Sequence, residues 1–233
     1  MDPLTNTIAA LPATIDINGT GHAVWPQAQV TSLVEGAQMA ITRFADVADY
    51  HPALIEAVLA AQRDPRFHDQ KHRVIPAGCG DKVRDIQDWN VPSASLIHAR
   101  ALMMAHHSTA QQPVFPDDTW ASIYRTGDYC MAHGHPRSDV SIVYMLDAGD
   151  PDPVDSVAGQ LAFVDPRIDF CCPIERGRVT RPLMPPMPPG TMVVFSSTYV
   201  HCVNPYRGTR PRITMSWNIT REARPGRPRA WVA

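Results

Sequence analysis

The chain has 233 residues, of which 44% are hydrophobic and 19% are charged, and its formal net charge is −2. This length and composition predict a single soluble globular domain with one substantial core. The near-neutral charge argues against nucleic acid or an anionic membrane as the main partner. No apolar run is long enough to predict a membrane span.

The five cysteines are odd in number and contain no C-x-x-C pair. This pattern argues against a disulfide framework and leads us to expect a reducing cytoplasm. The first 20 residues have neither a positive start nor a sustained apolar stretch, so they do not predict a secretory signal. The cysteines are Cys79, Cys130, Cys171, Cys172 and Cys202.

The first half of the chain predicts one strand and two helices. Residues 22–30 are expected to form the first strand. Residues 53–63 and 93–107 combine strong helix formers with apolar spacing at i, i+3 and i+4, which predicts two amphipathic helices. Ser93 or Ser95 is the expected cap of the second helix.

After residue 113 the sequence changes to short apolar or alternating runs separated by Gly, Pro and Asp, which favours an antiparallel sandwich or barrel. We therefore expect a mainly β fold with flanking helices (α+β), a double-stranded β-helix of the cupin-like jelly-roll kind, with eight strands in two sheets. The expected strands are residues 120–124, 140–146, 161–164, 192–196 and 213–219. The expected single domain divides into a lead-in (1–20), a helical buttress packed outside (21–112), a barrel core (113–220) and a basic tail (221–233).

The last predicted strand alternates polar and apolar side chains. Arg212, Thr214, Ser216 and Asn218 would share one face, because successive side chains of a strand point to opposite sides. Four polar residues facing a packed core would be costly, whereas they suit a wet cavity that holds a ligand.

Three histidines form a candidate metal site. His133 and His135 are two positions apart, which places both imidazoles on one side of an extended strand. His201 follows an apolar run and would arrive at the end of that strand. Three imidazoles on one face of a metal ion leave the opposite face open for chemistry. The alternative is that these are unrelated histidines, since the chain has ten.

The order of motifs around these histidines resembles a known family. Three segments are similar to a bacterial group of iron(II)/2-oxoglutarate (2OG) oxygenases. In chain order they are YRTGDYCMAHGH, which ends at His135, GQLAFVDPR, and PPGTMVVFSSTYVHCVNPYRGTRPRITMSWN. The resemblance implies that His133, His135 and His201 hold Fe(II), with 2-oxoglutarate as cosubstrate and O2 as oxidant. It also implies oxidation of a small molecule, most simply by hydroxylation, with release of succinate and CO2.

The resemblance implies that Arg212 binds the distal carboxylate of 2-oxoglutarate, and a planar guanidinium suits such a bidentate contact. Thr214 would add its hydroxyl and Tyr124 would donate from the neighbouring strand. Arg210 is the rival anchor, and Asn218 is a further candidate that could hydrogen-bond across the site.

One departure from the family pattern affects the metal. The usual triad has two histidines and one carboxylate, yet position 135 is His. Asp128 or Asp139 could supply the missing carboxylate, although the spacing favours three histidines. The alternative functions are a three-histidine cupin-type dioxygenase that does not use 2-oxoglutarate, and a non-catalytic metal-binding jelly roll. A homodimer is left open.

Overall fold

The computed structural model of the chain describes residues 7–69, 80–165, 167 and 182–222. Within these residues the α-helices are α1 (His51–Gln62) and α2 (Pro92–Ser108). Short 3₁₀ helices occupy Thr7–Ala10, Val47–Asp49 and Ile86–Asp88. The strands are β1 (Thr14–Ile17), β2 (Thr20–Ala23), β3 (Thr31–Leu33), β4 (Met39–Arg43), β5 (His68–Asp69), β6 (Asp81–Arg84), β7 (Phe115–Tyr124), β8 (Cys130–His133), β9 (Val140–Asp147), β10 (Leu161–Phe163), β11 (Thr191–Ser196), β12 (His201–Val203) and β13 (Arg212–Thr220).

The strands form two facing sheets of a jelly roll, and each strand pair is antiparallel. In the described part, the larger sheet has eight strands in the order β3-β4-β11-β9-β13-β7-β6-β5, and the smaller has three in the order β10-β12-β8. The strands β1 and β2 form a separate hairpin. The fold class predicted from the sequence is therefore confirmed, although the larger sheet is wider than an eight-stranded barrel requires.

Both helices pack on the outer face of the larger sheet, as predicted. The helix α1 contacts β6 and β9, and α2 contacts β9 and β11. Apolar side chains of α1, α2 and the outer face of the sheet form one large core. No helix among the described residues combines the length and apolar character needed to cross a membrane.

The second helix begins differently from the sequence prediction. Neither Ser93 nor Ser95 caps α2: the cap position is Val91, with no side-chain hydrogen bond, and Pro92 is the first helical residue. Proline suits this position because its fixed φ is already helical and its missing N–H has no partner there. Proline therefore determines the start of α2.

The N-terminal region contains more strands than the sequence predicts. The expected lead-in over 1–20 includes a 3₁₀ helix and β1, and the strand expected over 22–30 lies earlier, at Thr20–Ala23. The helical buttress over 21–112 contributes four strands to the two edges of the larger sheet: β3 and β4 beside β11, and β5 and β6 beside β7. These strands are too short for an alternating pattern to be recognised.

The strand β13 lies at the centre of the larger sheet, between β7 and β9. All of its residues are buried. Its outward side chains, Ile213, Met215, Trp217 and Ile219, belong to the core under the helices. Its inward side chains, Arg212, Thr214, Ser216 and Asn218, line the cavity between the sheets, as the alternation predicts.

Candidate metal and cosubstrate site

Two of the three histidines meet because neighbouring strands of the smaller sheet pair. His201 is the first residue of β12 and is directly opposite His133 of β8. The sequence places His201 at the end of the preceding apolar strand, but that strand, β11, ends at Ser196. A turn at 197–200 then carries the chain from the larger sheet to the smaller one. His201 therefore belongs to the same sheet as His133.

His135 lies just beyond β8, which ends at His133. The i, i+2 spacing predicts both imidazoles on one strand, but only His133 belongs to β8. The backbone N–H of His135 instead donates to the carbonyl of Ser197, at 2.6 Å. A Cβ atom at Gly134 would lie 3.2 Å from the carbonyl oxygen of Thr198, so glycine permits this close approach. The turn that precedes His201 therefore also holds His135.

The three imidazoles form a compact cluster that could hold one metal ion. Ligand atoms of His133, His135 and His201 all lie within 4.8 Å of one another. The ring centroids are 4.9 Å apart for His133 and His135, 4.4 Å for His133 and His201, and 5.3 Å for His135 and His201. His201 is buried and the other two are partly exposed.

Hydrogen bonds determine which nitrogens face the cluster. Nδ1 of His133 lies 2.7 Å from the carbonyl oxygen of Met131, and Nδ1 of His201 lies 2.9 Å from that of Tyr199. A carbonyl only accepts, so in both rings Nδ1 carries the proton and Nε2 keeps its lone pair. This is the arrangement usual for imidazoles that bind metals.

Burial keeps these rings neutral. Desolvation lowers the pKa of His135 to about 3 and that of His201 to about 4, and the neighbouring imidazoles add to both shifts. Burial also lowers the pKa of His133. All three rings are thus unprotonated at pH 7 and can offer a lone pair to a cation. The donor set fits a divalent transition metal.

Arg212 lies in the same cavity and is the best candidate to hold an anion. Its side chain is 2% exposed, and its Nη1 has no hydrogen-bond partner among the described residues. Its guanidinium carbon is 5.1 Å from the ring centroid of Tyr124. Burial lowers the pKa of Arg212, but a guanidinium remains charged at neutral pH. A buried cation with an unpaired N–H group fits a carboxylate ligand.

Tyr124 and Thr214 lie where the sequence predicts. Tyr124 is opposite Arg212 on β7, and Thr214 is opposite Ser122. The side chains of these two residues and of their partners, Arg212 and Ser122, all line the cavity.

Arg210, the rival anchor, and Asn218, the residue expected to hydrogen-bond across the site, both lie away from the cosubstrate position beside Arg212. Arg210 is an exposed residue whose Nε lies 2.9 Å from Oδ1 of Asp150, and it is not among the cavity residues. Asn218 lines the cavity but is six residues from Arg212 on one strand, roughly 20 Å away. Its Oδ1 accepts from Ser141, at 2.8 Å. Neither residue can share a small dicarboxylate's distal group with Arg212.

The two carboxylates that could replace His135 have partners elsewhere. Asp128 accepts from the backbone N–H of Arg125, at 2.7 Å, and Asp139 pairs with Arg221 at 2.8 Å. Within the described residues, the cluster able to hold a metal consists of the three histidines.

Two cysteines flank the histidine cluster. Cys130 lines the cavity, whereas Cys202 does not, and neither forms a disulfide. The other three cysteines and the tail beyond residue 222 lie outside the described residues.

A buried carboxylate fixes the turn at 197–200. Asp165 is 1% exposed and accepts from the backbone N–H of Val200, at 2.8 Å. It also pairs with Arg167, whose guanidinium donates to the hydroxyl and the carbonyl of Thr198. The Arg167 guanidinium holds the pKa of Asp165 far below its usual range. The pair therefore stabilises the turn that precedes His201 and accepts the backbone hydrogen bond of His135.

The sequence reasoning missed residues in the cavity and beside it. Lys82 and Trp120 line the cavity, and the Lys82 ammonium lies 4.8 Å from the Trp120 ring centroid. Tyr206 is 2% exposed and packs with Gly159 near the aliphatic part of Arg212. Lys82 belongs to β6, a strand too short to be recognised, so no sequence signal connects it to the histidines.

Comparison with known proteins agrees with this geometry. Residues 118–218 match a family described as "Putative 2OG-Fe(II) oxygenase". The barrel of this chain is a 2OG-Fe(II) oxygenase barrel. This family uses Fe(II), 2-oxoglutarate and O2, so the cofactors implied by the sequence motifs are confirmed. No curated protein matches the chain.

Solved structures share the fold of this oxygenase at low identity. AviO1 from Streptomyces viridochromogenes Tue57 is 17% identical with a TM-score of 0.57, over 82% of this chain and 93% of that protein. A 2OG-Fe(II) oxygenase family oxidoreductase from Burkholderia pseudomallei is 17% identical with a TM-score of 0.51, over 79% of this chain and 85% of that protein. EctD from S. alaskensis, solved with 2-oxoglutarate and 5-hydroxyectoine, is 15% identical with a TM-score of 0.57, over 84% of this chain and 78% of that protein.

Proposed function

We propose that this oxygenase hydroxylates a small molecule, with His133, His135 and His201 as the iron ligands and Arg212 as the anchor of 2-oxoglutarate. The observation that carries the proposal is the juxtaposition of three neutral imidazoles with a buried arginine whose Nη1 lacks a partner. When bound, Fe(II) with 2-oxoglutarate and O2 supplies the oxidising power, and succinate and CO2 are released.

The side chains of the cavity have separate tasks. The Nε2 atoms of His133 and His201 would bind the metal, because the Nδ1 protons of both rings are donated to carbonyl groups. Arg212 would bind the distal carboxylate through a bidentate contact, and Thr214 would add a hydroxyl donor. Phe163 and Phe195 lie beside His201, with ring centroids 5.9 and 4.9 Å from it. These rings exclude water from one side of the metal position.

Hydroxylation is the simplest oxidation for this cavity, and the small hydroxylated molecule found with EctD, 5-hydroxyectoine, supports such an outcome. A cytoplasmic location is also part of the proposal. It rests on the odd number of cysteines and the missing C-x-x-C pairs.

The direct test measures succinate formed from 2-oxoglutarate by the purified protein with Fe(II) and O2, together with the iron content. We expect turnover that requires both Fe(II) and O2, even without a primary substrate. The variant His133→Ala should lose bound iron and reduce turnover by more than about 100-fold, because one of three ligands is removed.

The matched control is His107→Ala, which removes an exposed histidine at the end of α2. It should keep both iron and turnover. If His133→Ala retains the iron content and turnover of the unmodified protein, the proposed ligand set is wrong.

A further inference from the structure

The tripeptide Asp-Pro-Arg occurs twice in the sequence, once beginning at Asp64 and once at Asp165. In both copies the arginine contacts the aspartate through its backbone N–H and its guanidinium. Arg66 donates from its backbone to Oδ1 of Asp64 at 2.9 Å and from Nη2 to Oδ2 at 2.6 Å. Arg167 makes the same two contacts with Asp165 at the same distances. The hydrogen bonds within the tripeptide therefore do not distinguish the two copies.

The two aspartates differ in their surroundings. Asp64 has 27% of its side chain exposed, and within the described residues its carboxylate accepts from Arg66. Asp165 is 1% exposed and accepts in addition from the backbone N–H of Val200, at 2.8 Å. Val200 is the residue immediately before β12, where the pairing of β10 with β12 ends. The buried carboxylate therefore holds the chain at the start of β12.

Arg167 extends the second copy to the turn at 197–200. Its Nη1 donates to the hydroxyl of Thr198 at 3.1 Å, and its Nη2 donates to the carbonyl of the same residue. Its guanidinium carbon is 5.3 Å from the ring centroid of Tyr199, within the range of a cation–π contact. The guanidinium of Arg66 instead lies over the ring of the next residue in the chain. The second copy thus binds a distant turn, and the first copy contacts its own neighbourhood.

Three successive carbonyl groups of this turn have three different partners. The carbonyl of Ser197 accepts from the backbone N–H of His135, at 2.6 Å. The carbonyl of Tyr199 accepts from Nδ1 of His201, at 2.9 Å. The carbonyl between these two is the one that Arg167 binds. The turn therefore orients two of the three proposed metal ligands, and the second tripeptide holds the turn.

The third proposed ligand does not depend on this turn. Nδ1 of His133 donates to the carbonyl of Met131, which belongs to β8 as His133 does. A disturbance of the turn should therefore move His135 and His201 relative to His133. Ligands of one metal ion must keep their mutual distances, so such a movement should weaken metal binding.

We propose that Asp165 and Arg167 are positioning residues for the metal, which act through the turn at 197–200 on His135 and His201. Partners that orient the ligands of a metal from outside are worth about 10–100-fold in metal affinity. Here the carboxylate acts on the imidazoles through backbone carbonyls and does not contact them directly. This inference rests on the proposed function, because it assumes that the three histidines bind the metal.

The test measures the affinity for Zn(II) by competition with a chromophoric chelator. In Arg167→Met the affinity should fall by at least about tenfold, because the guanidinium no longer holds the turn. The side chain of Arg167 is 54% exposed, so its replacement does not open the core. Asp165→Asn keeps the shape of the side chain but breaks the charged pair, and it should change the affinity in the same direction.

The matched control is Arg66→Met, which is the same change in the same tripeptide. It should leave the affinity for Zn(II) within about twofold of the unmodified value, because this pair lies apart from the histidines.

A second measurement separates positioning from a general loss of stability. In the zinc-saturated protein, NMR follows the Nδ1 proton of each imidazole and its exchange with water. In Arg167→Met this exchange should become faster at His201, because the carbonyl that accepts the proton is no longer fixed, and should stay the same at His133. A global destabilisation would increase both exchange rates alike.

Equal Zn(II) affinities of Arg167→Met and Arg66→Met would overturn the positioning role, and so would an equal change of exchange at His133 and His201. The proposed function survives either result as long as His201→Ala loses the metal. If His201→Ala binds Zn(II) as tightly as the unmodified protein, the ligand set itself is wrong and the positioning role fails with it.

Discussion

A buried arginine lies on each side of the larger sheet, and the two arginines differ in their hydrogen-bond partners. Arg100, on the helix side, is 0% exposed, and its guanidinium donates to Asp46, Tyr50 and two backbone carbonyls. Arg212, on the cavity side, is 2% exposed, and its Nη1 lacks a partner within the described residues. A buried charge with complete partners supports the fold, whereas one with an unfilled donor indicates a ligand.

The largest expected effect is on cosubstrate binding. Replacement Arg212→Met should weaken 2-oxoglutarate binding to the metal-loaded protein by at least about 100-fold, because charge-assisted hydrogen bonds are lost. The melting temperature should not fall, since an incompletely paired buried charge is removed. Calorimetric titration and thermal melting check the two quantities.

The control for this substitution is Arg210→Met, two positions away, which removes an exposed cation outside the cavity. It should leave the affinity for 2-oxoglutarate unchanged. If Arg212→Met binds 2-oxoglutarate as tightly as the unmodified protein, Arg212 is not the anchor of the cosubstrate.

The opposite result is expected at the other arginine. Replacement Arg100→Met should lower the free energy of unfolding by about 3–5 kcal/mol, because Asp46 and the hydroxyl of Tyr50 lose a buried partner. Denaturant unfolding measures this loss. Any protein that remains folded should bind 2-oxoglutarate with unchanged affinity. An Arg100→Met protein that is as stable as the original would contradict the contrast drawn between the two faces.

The smallest effect is a pH dependence on the helix side. Burial lowers the pKa of His51 and of His98 to about 4 each. The unfolded chain therefore binds more protons than the folded one between pH 6.5 and about 4, and stability decreases as the pH falls through this window. We expect the melting temperature of the metal-free protein to fall by at least about 3 °C between pH 7 and pH 5.

The variant His98→Asn should decrease this pH dependence. Its amide oxygen can still accept the hydrogen bond that the Trp217 indole donates to Nδ1 of His98 at 3.0 Å, but it does not titrate. A pH dependence identical to that of the unmodified protein would show that His98 is not buried in its neutral form.

The sequence predicts the long elements and the identity of the clustered residues because these depend on local pattern. Alternation identifies β13 and its cavity face, and motif order identifies the three histidines and Arg212. The short strands β3, β5 and β6 escape prediction, since segments of two to four residues contain too little periodicity.

The features that the sequence did not predict depend on pairing between segments that are distant in the chain. The hydrogen bond of His135 to Ser197 and the jump of the chain to the smaller sheet before His201 are not visible in the spacing of the histidines. Lys82 reaches the cavity through the pairing of β6 with β7, which no local pattern near Lys82 indicates. Asn218 was assigned correctly to the cavity face, but its distance from Arg212 follows only from the length of β13.

The alternation along β13 has a consequence for how this oxygenase could diversify. Its outward side chains hold the helices, and its inward side chains face the reactants, so substitutions at the two sets of positions are selected for different reasons. Arg212 and Thr214 would be tied to the cosubstrate, which leaves Ser216 as an inward position that could change with the molecule oxidised. Such a change would not touch the outward side chains that hold the helices, so the cavity could be reshaped without weakening the scaffold.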